Sequence, residues 1–387
     1  MTVQLRDMIE WVDGTDKYIE QLLEKVELYK QIVIFGAGIG GMETLHLLQQ
    51  GKCENKVIAF SDNNKDKIGK KYVDYPVIAP EEIPKAAETA LILISSTAYN
   101  VIFKQLVQLG VDKQNIMYFQ PAGISLQKAN SDVKFIRDNI EKFEQVFEML
   151  EDDRSKKIYK CILNYRVSKN MKWLQEIEEC VDSEDMQYFD RNILKPYHFG
   201  KGFVDGGAYI GDTLERFFDF RPNWSGTYYC IEAGKVLYKK MCDTVETLSE
   251  KNVKANVKTY NYALWDSVGT LCFDTASFGG GAGSRVSSSG ECVKCITLDT
   301  LLKEKNIDFI KMDIEGAEKK ALVGAQNIIK KNKPILAICI YHRPEDFFEI
   351  PLLIKNILPD EYRFYVRQYR FGPSETVLYA MPKVRRG

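Results

Sequence analysis

Histidine is scarce in this chain of 387 residues, cysteine is unorganised, and an excess of either charge is missing. With only three histidines, chemistry that needs an imidazole has few places to occur. Nine cysteines are dispersed without a repeated spacing, which argues against a disulfide framework and for a reducing compartment, the cytoplasm. The close pair Cys292 and Cys295 has no second pair near it, and a zinc site needs two more ligands. Both are expected to be half-buried residues of a strand spanning 291–298. The 53 basic and 54 acidic residues are interspersed and leave a net charge of −1, which argues against a nucleic-acid binder held by phosphate contacts. No apolar run reaches the roughly 18 residues of a membrane span, and the first residues lack an apolar leader. What the chain does have is 45% hydrophobic residues, enough to give each of two or three domains a core.

The pattern divides into three parts. Over 1–123, an amphipathic helix at 16–30 precedes the strand Gln31–Phe35, which runs into Gly36, Gly38 and Gly41 in G-x-G-x-x-G spacing and then a helix. Strands 57–62, 91–96 and 115–119 follow, so a small doubly wound α/β domain is expected. Asp62, at a strand tip, is placed to take a ribose. No Tyr-x-x-x-Lys pair occurs in this part, so dehydrogenase or epimerase chemistry has no evident catalyst. Over 124–200 the stripes Phe135, Ile136, Ile140, Phe143, Val146, Phe147 and Ile158, Cys161, Ile162, Tyr165 read as helices. Lacking Gly/Ser/Pro enrichment, they are expected to pack on the domain that follows.

The third part, 201–387, opens with a strand into Asp205, Gly206 and Gly207, then Gly211, Asp212 and Thr213 at the start of a helix. A second acid, Glu232, ends the next strand. Glycines let the backbone approach a ligand, the helix start offers free N–H groups, and Glu232 can hold both hydroxyls of a ribose. No Lys-Ser/Thr follows the glycines, and the Asp205 carboxylate would repel a pyrophosphate. A cationic nucleoside fits better, and S-adenosylmethionine is the common one. Strands are expected at 202–205, 227–232, 257–263, 308–313, 335–341, 362–367 and 376–380, the last two joined by a turn at Gly372, Pro373 and Ser374.

Residues 203–213, Glu232, the string Lys311-Met312-Asp313-Ile314-Glu315-Gly316-Ala317-Glu318 and Ile340-Tyr341-His342 together resemble the FkbM family of S-adenosylmethionine-dependent methyltransferases. The lead-in Asp185–Asp190 and the ending Phe364–Ala380, with Glu375-Thr376, resemble a branch of it. The resemblance covers 130–383 and implies a class I methyltransferase fold and transfer to a hydroxyl, often of a sugar or polyketide. Gly207-Ala208-Tyr209 and Glu232-Ala233 depart from the family's usual Gly-Ala-Asn and Glu-Pro, which loosens any substrate taken from other branches. The first 123 residues resemble the nucleotide-sugar-binding domain of bacterial sugar acyltransferases in Gly36–Gly41, Ala59–Asn64 and Tyr75–Ile78. They are expected to bind a nucleotide or nucleotide-sugar, with a ligand-free scaffold as the alternative.

An alcohol is a poor nucleophile, so a base or a metal must help. Asp313 and His342, at adjacent strand tips, form a candidate base-and-orienter pair. A helix N-cap is the alternative for Asp313, and a satisfied strand-end residue for His342. Glu315 is a candidate at the substrate, Glu318 reads as structural, and the carboxylates leave Mg²⁺ open. The glycine-rich stretch 278–285 reads either as a lid that brings Arg285 to an anionic group or as a surface loop. The expected function is methylation of a sugar or glycan-precursor hydroxyl in polysaccharide biosynthesis. The rivals are an NAD-dependent sugar oxidoreductase using Gly36–Gly41 and a non-catalytic binding protein of glycan assembly. A homo-oligomer stays open.

Overall fold

A computed structural model describes residues 4–11, 16–86, 90–96, 98–119, 126–170, 172–195, 197, 200–250, 256–274, 285–287, 291–372 and 374–383. Two compact units emerge. The first comprises Met1–Ile140, Lys160–Glu178 and Phe371–Pro373; the second comprises Glu141–Tyr159, Glu179–Arg370 and Ser374–Gly387. The helices Leu126–Asp138, Ile140–Met149, Asp153–Ser168 and Lys172–Glu176 of the expected connector are therefore divided between both units.

In the first unit, β1 (Gln31–Phe35), β2 (Val57–Ser61), β3 (Lys71–Tyr72), β4 (Tyr75–Ile78), β5 (Ala90–Ile94) and β6 (Ile116–Tyr118) form one sheet in the order β3-β4-β2-β1-β5-β6. All neighbours are parallel except β3, which pairs antiparallel with β4. Strands β1 and β5 are nearly continuous apolar runs because both their faces are covered. The helix Ile39–Gln50 starts straight after the glycine turn and sits so close to β1 that a Cβ on Gly41 would stand 2.0 Å from the Gly36 carbonyl oxygen.

In the second unit, β7 (Gly202–Gly206), β8 (Thr227–Ile231) and β9 (Asn256–Tyr260) precede β10 (Ala263–Leu264), β11 (Gly269–Asp274), β12 (Arg285–Ser287) and β13 (Glu291–Ile296). Then come β14 (Phe309–Met312), β15 (Ile335–Cys339), β16 (Tyr362–Gln368) and β17 (Thr376–Pro382). The main sheet runs β16-β17-β15-β14-β7-β8-β9, parallel except for the antiparallel pairings of β17 with β15 and β16. This is the expected class I methyltransferase order. Its core is aromatic: Phe203 stacks on Tyr228 and on Phe309, each with ring centres 4.6 Å apart, and Phe217, on the helix Asp212–Phe220, packs with its ring centre 4.8 Å from that of Phe203. Phe347 and Phe348 are core too, but on the helix Asp346–Ile357 and not on a strand.

Two features depart from the sequence reading. A second sheet, β10-β13-β11-β12, lies between the third and fourth main strands. Antiparallel pairing of β11 with β13 sets Cys272 opposite Cys292, and the two are disulfide-bonded, so not all nine thiols are free. Cross-strand register brings this pair together, and sequence spacing does not show register. Cys295, on the other face of β13, is buried. No described helix is long and apolar enough to cross a membrane.

Candidate functional site

A cavity of about 570 Å³ opens at the carboxyl ends of the parallel strands in the second unit. Its floor is the turn after β7. There the sharp reversal puts Gly207 at φ +75°, and the amides of Gly207 and Ala208 both donate to the Ile231 carbonyl at the tip of β8. Gly207, Asp212 and Thr213 line the cavity. Asp205 does not: it is fully buried below the turn, where Lys311 Nζ stands 2.8 Å from its Oδ1 and Tyr228 donates to Oδ2 at 3.0 Å. The same Lys311 donates to the Gly207 carbonyl at 2.7 Å. Burial pulls the Lys311 ammonium down, but the Asp205 and Asp313 carboxylates push it above its ordinary value, while burial raises the Asp205 carboxyl against the pull of Lys311. Asp205 thus acts beneath the floor, holding the turn's shape. Gly206 and Gly211 shape the same turn from β7 and the helix start.

Glu232 stands at the rim. Its Oε2 accepts from the Tyr209 amide at 3.0 Å and its Oε1 from the Gly234 amide at 2.8 Å. Burial raises its carboxyl, while these two amides work the other way. An apolar wall of Ile231, Leu264, Trp265 and Val293 faces it, contributed partly by the second sheet.

The opposite wall is acidic and comes from distant segments. Asp313 Oδ2 accepts from Tyr188 at 2.8 Å, and Gln187 Nε2 donates to Glu375 Oε2 at 2.8 Å and to the Tyr188 hydroxyl at 3.1 Å. The Tyr341 hydroxyl lies 3.4 Å from both Asp313 Oδ1 and Glu375 Oε1. Burial would push Asp313 up, but the charges of Lys311 and His342 and the Tyr188 hydrogen bond hold it below its usual range. Glu375 moves the other way: burial and the Asp313 charge raise its carboxyl.

Residues 205–371 match the model of the methyltransferase FkbM domain. Residues 28–117 match a different family, the N-terminal domain of C2185-like proteins, in the place where the acyltransferase-type domain was expected. Among solved structures, methyltransferase FkbM from Methylobacillus flagellatus KT is 20% identical with a TM-score of 0.68, covering 96% of this chain and 94% of that one. A SAM-dependent methyltransferase from Aquifex aeolicus (17% identical, TM-score 0.30, 54% and 98% covered) and a putative caffeoyl-CoA O-methyltransferase from Staphylococcus aureus (11%, 0.33, 58% and 98%) are more remote. No curated protein matches the chain.

Within the matched segment, Asp313 and His342 do meet. His342 Nε2 is 3.4 Å from Asp313 Oδ1 and 3.6 Å from Glu315 Oε2, and Nδ1 is 2.9 Å from Glu318 Oε1. Burial pulls the imidazole down, but the Glu318, Asp313 and Glu315 carboxylates push it up to about 9. The helix after β14 begins only at Glu318, with Ala317 as its N-cap, so Asp313 does not cap it. Glu318 is fully buried and its Oε1 accepts from the Ile314 amide at 2.8 Å. Asp313 and Glu315 line the cavity. Arg285 begins β12, but its side chain and the stretch 275–284 lie outside the described residues.

In the first unit, Gly36 and Gly38 form the turn and Gly41 packs it against the strand. Asp62 Oδ2 accepts from the Ala37 amide at 3.0 Å and from Lys67 Nζ at 2.9 Å, and Oδ1 from the Asn64 amide at 2.9 Å. The carboxylate therefore fastens the glycine turn.

Sequence reasoning passed over Lys311 as a site residue, along with Gln187, Tyr188, Tyr341 and Glu375. All five were on view in the family-like segments at 185–190, 311–318, 340–342 and 375–380. The strand-tip positions of Tyr341 and Glu375 were the available signal.

Asp346 offers a pH test nearby. Burial and the Glu318 charge push its carboxyl up from 3.8 to about 7. A folded value above the unfolded one means its contribution is full at low pH and is lost as pH rises toward 7. Asp346→Asn keeps an acceptor for the Arg343 amide, now 3.0 Å away. Its melting temperature should match the parent's near pH 4 and exceed it by a few degrees at pH 8. A gap that fails to widen with pH would contradict the buried, half-neutral carboxyl.

Proposed function

We propose that this chain transfers a methyl group from S-adenosylmethionine to a hydroxyl of a sugar or glycan precursor. The observation that carries the reading is Glu232, fixed by two backbone amides at the rim of the cavity, next to the glycine turn. Those anchors aim its remaining lone pairs at a vicinal diol, so it would hold the ribose. The adenine would lie against Leu264 and Trp265, and the sulfonium would face the acidic wall of Asp313 and Glu375.

Transfer is an in-line displacement. The acceptor oxygen forms a bond to the methyl carbon as the carbon–sulfur bond breaks, its electron pair staying on sulfur, and the hydroxyl proton passes to a carboxylate. Asp313 faces the acceptor, and His342 behind it would position and balance it. Glu375, across Tyr341, is the second proton acceptor within reach. Gln187, Tyr341 and the two carboxylates present the mixed donors and acceptors that a polyhydroxylated ring needs. In the first unit, Gly36, Gly38, Gly41 and Asp62 would bind the nucleotide of a nucleotide-linked sugar, which would place the reaction in polysaccharide assembly.

Titration calorimetry of the full chain with S-adenosylhomocysteine tests this. Micromolar binding is expected, weakened about 10- to 100-fold in Glu232→Ala, the range for losing hydrogen bonds to a charged acceptor. NAD binding with no S-adenosylhomocysteine binding would move the chemistry to Gly36–Gly41 and sink the proposal.

A further inference from the structure

We propose that Asp313, Glu318 and His342, with Glu315 on the cavity side, form a binding site for a first-row divalent metal ion of the manganese class. One donor atom from each of the first three lies within 4.8 Å of the others. The spacings of 3.4 Å from His342 Nε2 to Asp313 Oδ1 and 3.6 Å to Glu315 Oε2 are close to those of neighbouring donors sharing one ion at about 2.1 Å.

The second observation is the state of the buried polar atoms. The His342 side chain is 8% exposed, yet neither ring nitrogen has an aligned hydrogen-bond partner, and Glu318 Oε2, in a fully buried residue, has none either. The 2.9 Å approach of Nδ1 to Glu318 Oε1 is close but out of line with the ring N–H. Buried imidazoles ordinarily satisfy both nitrogens, and an exception calls for a ligand or an ion. Here Nε2 faces the Asp313 and Glu315 oxygens, where the ion would sit, and Nδ1 faces Glu318, which would anchor the ring from behind.

Charge points the same way. Three carboxylates surround one imidazole, and the Lys311 ammonium is engaged by Asp205 and the Gly207 carbonyl. The donor set decides the ion. One imidazole among carboxylates suits manganese, iron or zinc, whereas magnesium and calcium favour oxygen donors alone. The geometry also sets what the ion would do. Asp313 and Glu315 line the cavity, so an ion held there would polarise a hydroxyl placed beside it. That last role rests on the proposed methyl transfer, while the site itself does not.

The test uses the full chain, stripped with a chelator and desalted, and titrated with Mn²⁺ while the free-ion paramagnetic resonance signal is followed. Binding of one Mn²⁺ per chain at micromolar concentration is expected, with Mg²⁺ at least about tenfold weaker. His342→Gln and Glu318→Gln should each weaken Mn²⁺ binding about tenfold or more, the size seen when metal ligands or their anchors are lost. Each variant is checked for S-adenosylhomocysteine binding and for its melting temperature, which separates ligand loss from misfolding. Parent protein that melts cooperatively but takes up no Mn²⁺ would overturn the proposal, as would undiminished uptake by both variants. Mn²⁺ uptake without S-adenosylhomocysteine binding would uphold the metal site and refute the methyl-donor reading.

Discussion

Gly207→Ala is expected to lose both S-adenosylhomocysteine binding and about 2–4 kcal/mol of stability, the sum of a left-handed backbone penalty and core overlap. At φ +75° an alanine Cβ would stand 1.9 Å from the Asp313 carbonyl oxygen and 2.9 Å from its carbon. Nothing flexible can yield. The Gly207 amide is bound to Ile231 at 2.9 Å, the Asp313 amide to Gly206 at 3.0 Å, and the Gly207 carbonyl to Lys311. Relief would have to part β7 from β14 at the floor of the cavity. That movement would also shift Asp313 on one side and the Glu232 rim on the other. Urea denaturation and calorimetry read the two losses separately. A variant that keeps its midpoint and its affinity would show that the turn does not press on β14 as described.

Arg367→Ala should be the costliest single change outside the cavity. Arg367 is 4% exposed, and its Nε donates to Asp190 Oδ2 at 3.1 Å. Its two terminal nitrogens grip Asp152 at 3.3 and 2.7 Å, and Nη1 also reaches Ser155 at 2.9 Å. The partners are not equivalent. Asp152 is about a third exposed and rehydrates when released, whereas Asp190 is buried, with Oδ1 capping the Arg191–Leu194 helix. Removing the guanidinium therefore strands a buried carboxylate, a loss of about 3–5 kcal/mol. Asp152→Ala should cost less, about 1–2 kcal/mol, because Arg367 keeps Asp190 while the Ser155 amide loses its acceptor at 2.8 Å. Adding Asp190→Asn to Arg367→Ala should restore part of the loss, because it removes the stranded charge. If the double variant is no more stable than the single one, the burial argument fails. This network joins strand β16 to the 152–190 segment that carries Gln187 and Tyr188, so its loss should also loosen the acidic wall.

Much of this was legible locally. The strand, glycine turn and helix of 202–220 follow from an apolar run, glycines where φ must be positive, and an amphipathic stretch beginning at Asp212. The places of the seven main strands along the chain follow from the same short-range periodicity, their order in the sheet from the family resemblance, and Glu232 from its place at the end of one of them. Each signal lies within a few residues of what it specifies, so sequence suffices.

What tertiary structure decided is of another kind. Asp205 looked like a residue facing the ligand, but the pairing of β7 with β14 lays Lys311 beside it and turns the two into a buried support. Cys272 and Cys292 meet only because of antiparallel register. The acidic wall gathers Gln187, Asp313, Tyr341 and Glu375 from four separate segments, and none of their spacings in the chain announces it. His342 could be placed near Asp313 by counting strands, but its burial among three carboxylates depends on how the helix beginning at Glu318 folds back. Short-range pattern specifies the elements, whereas charge pairing and burial depend on which elements come to lie side by side. That is why the glycine turn could be read from the sequence and the acidic wall could not.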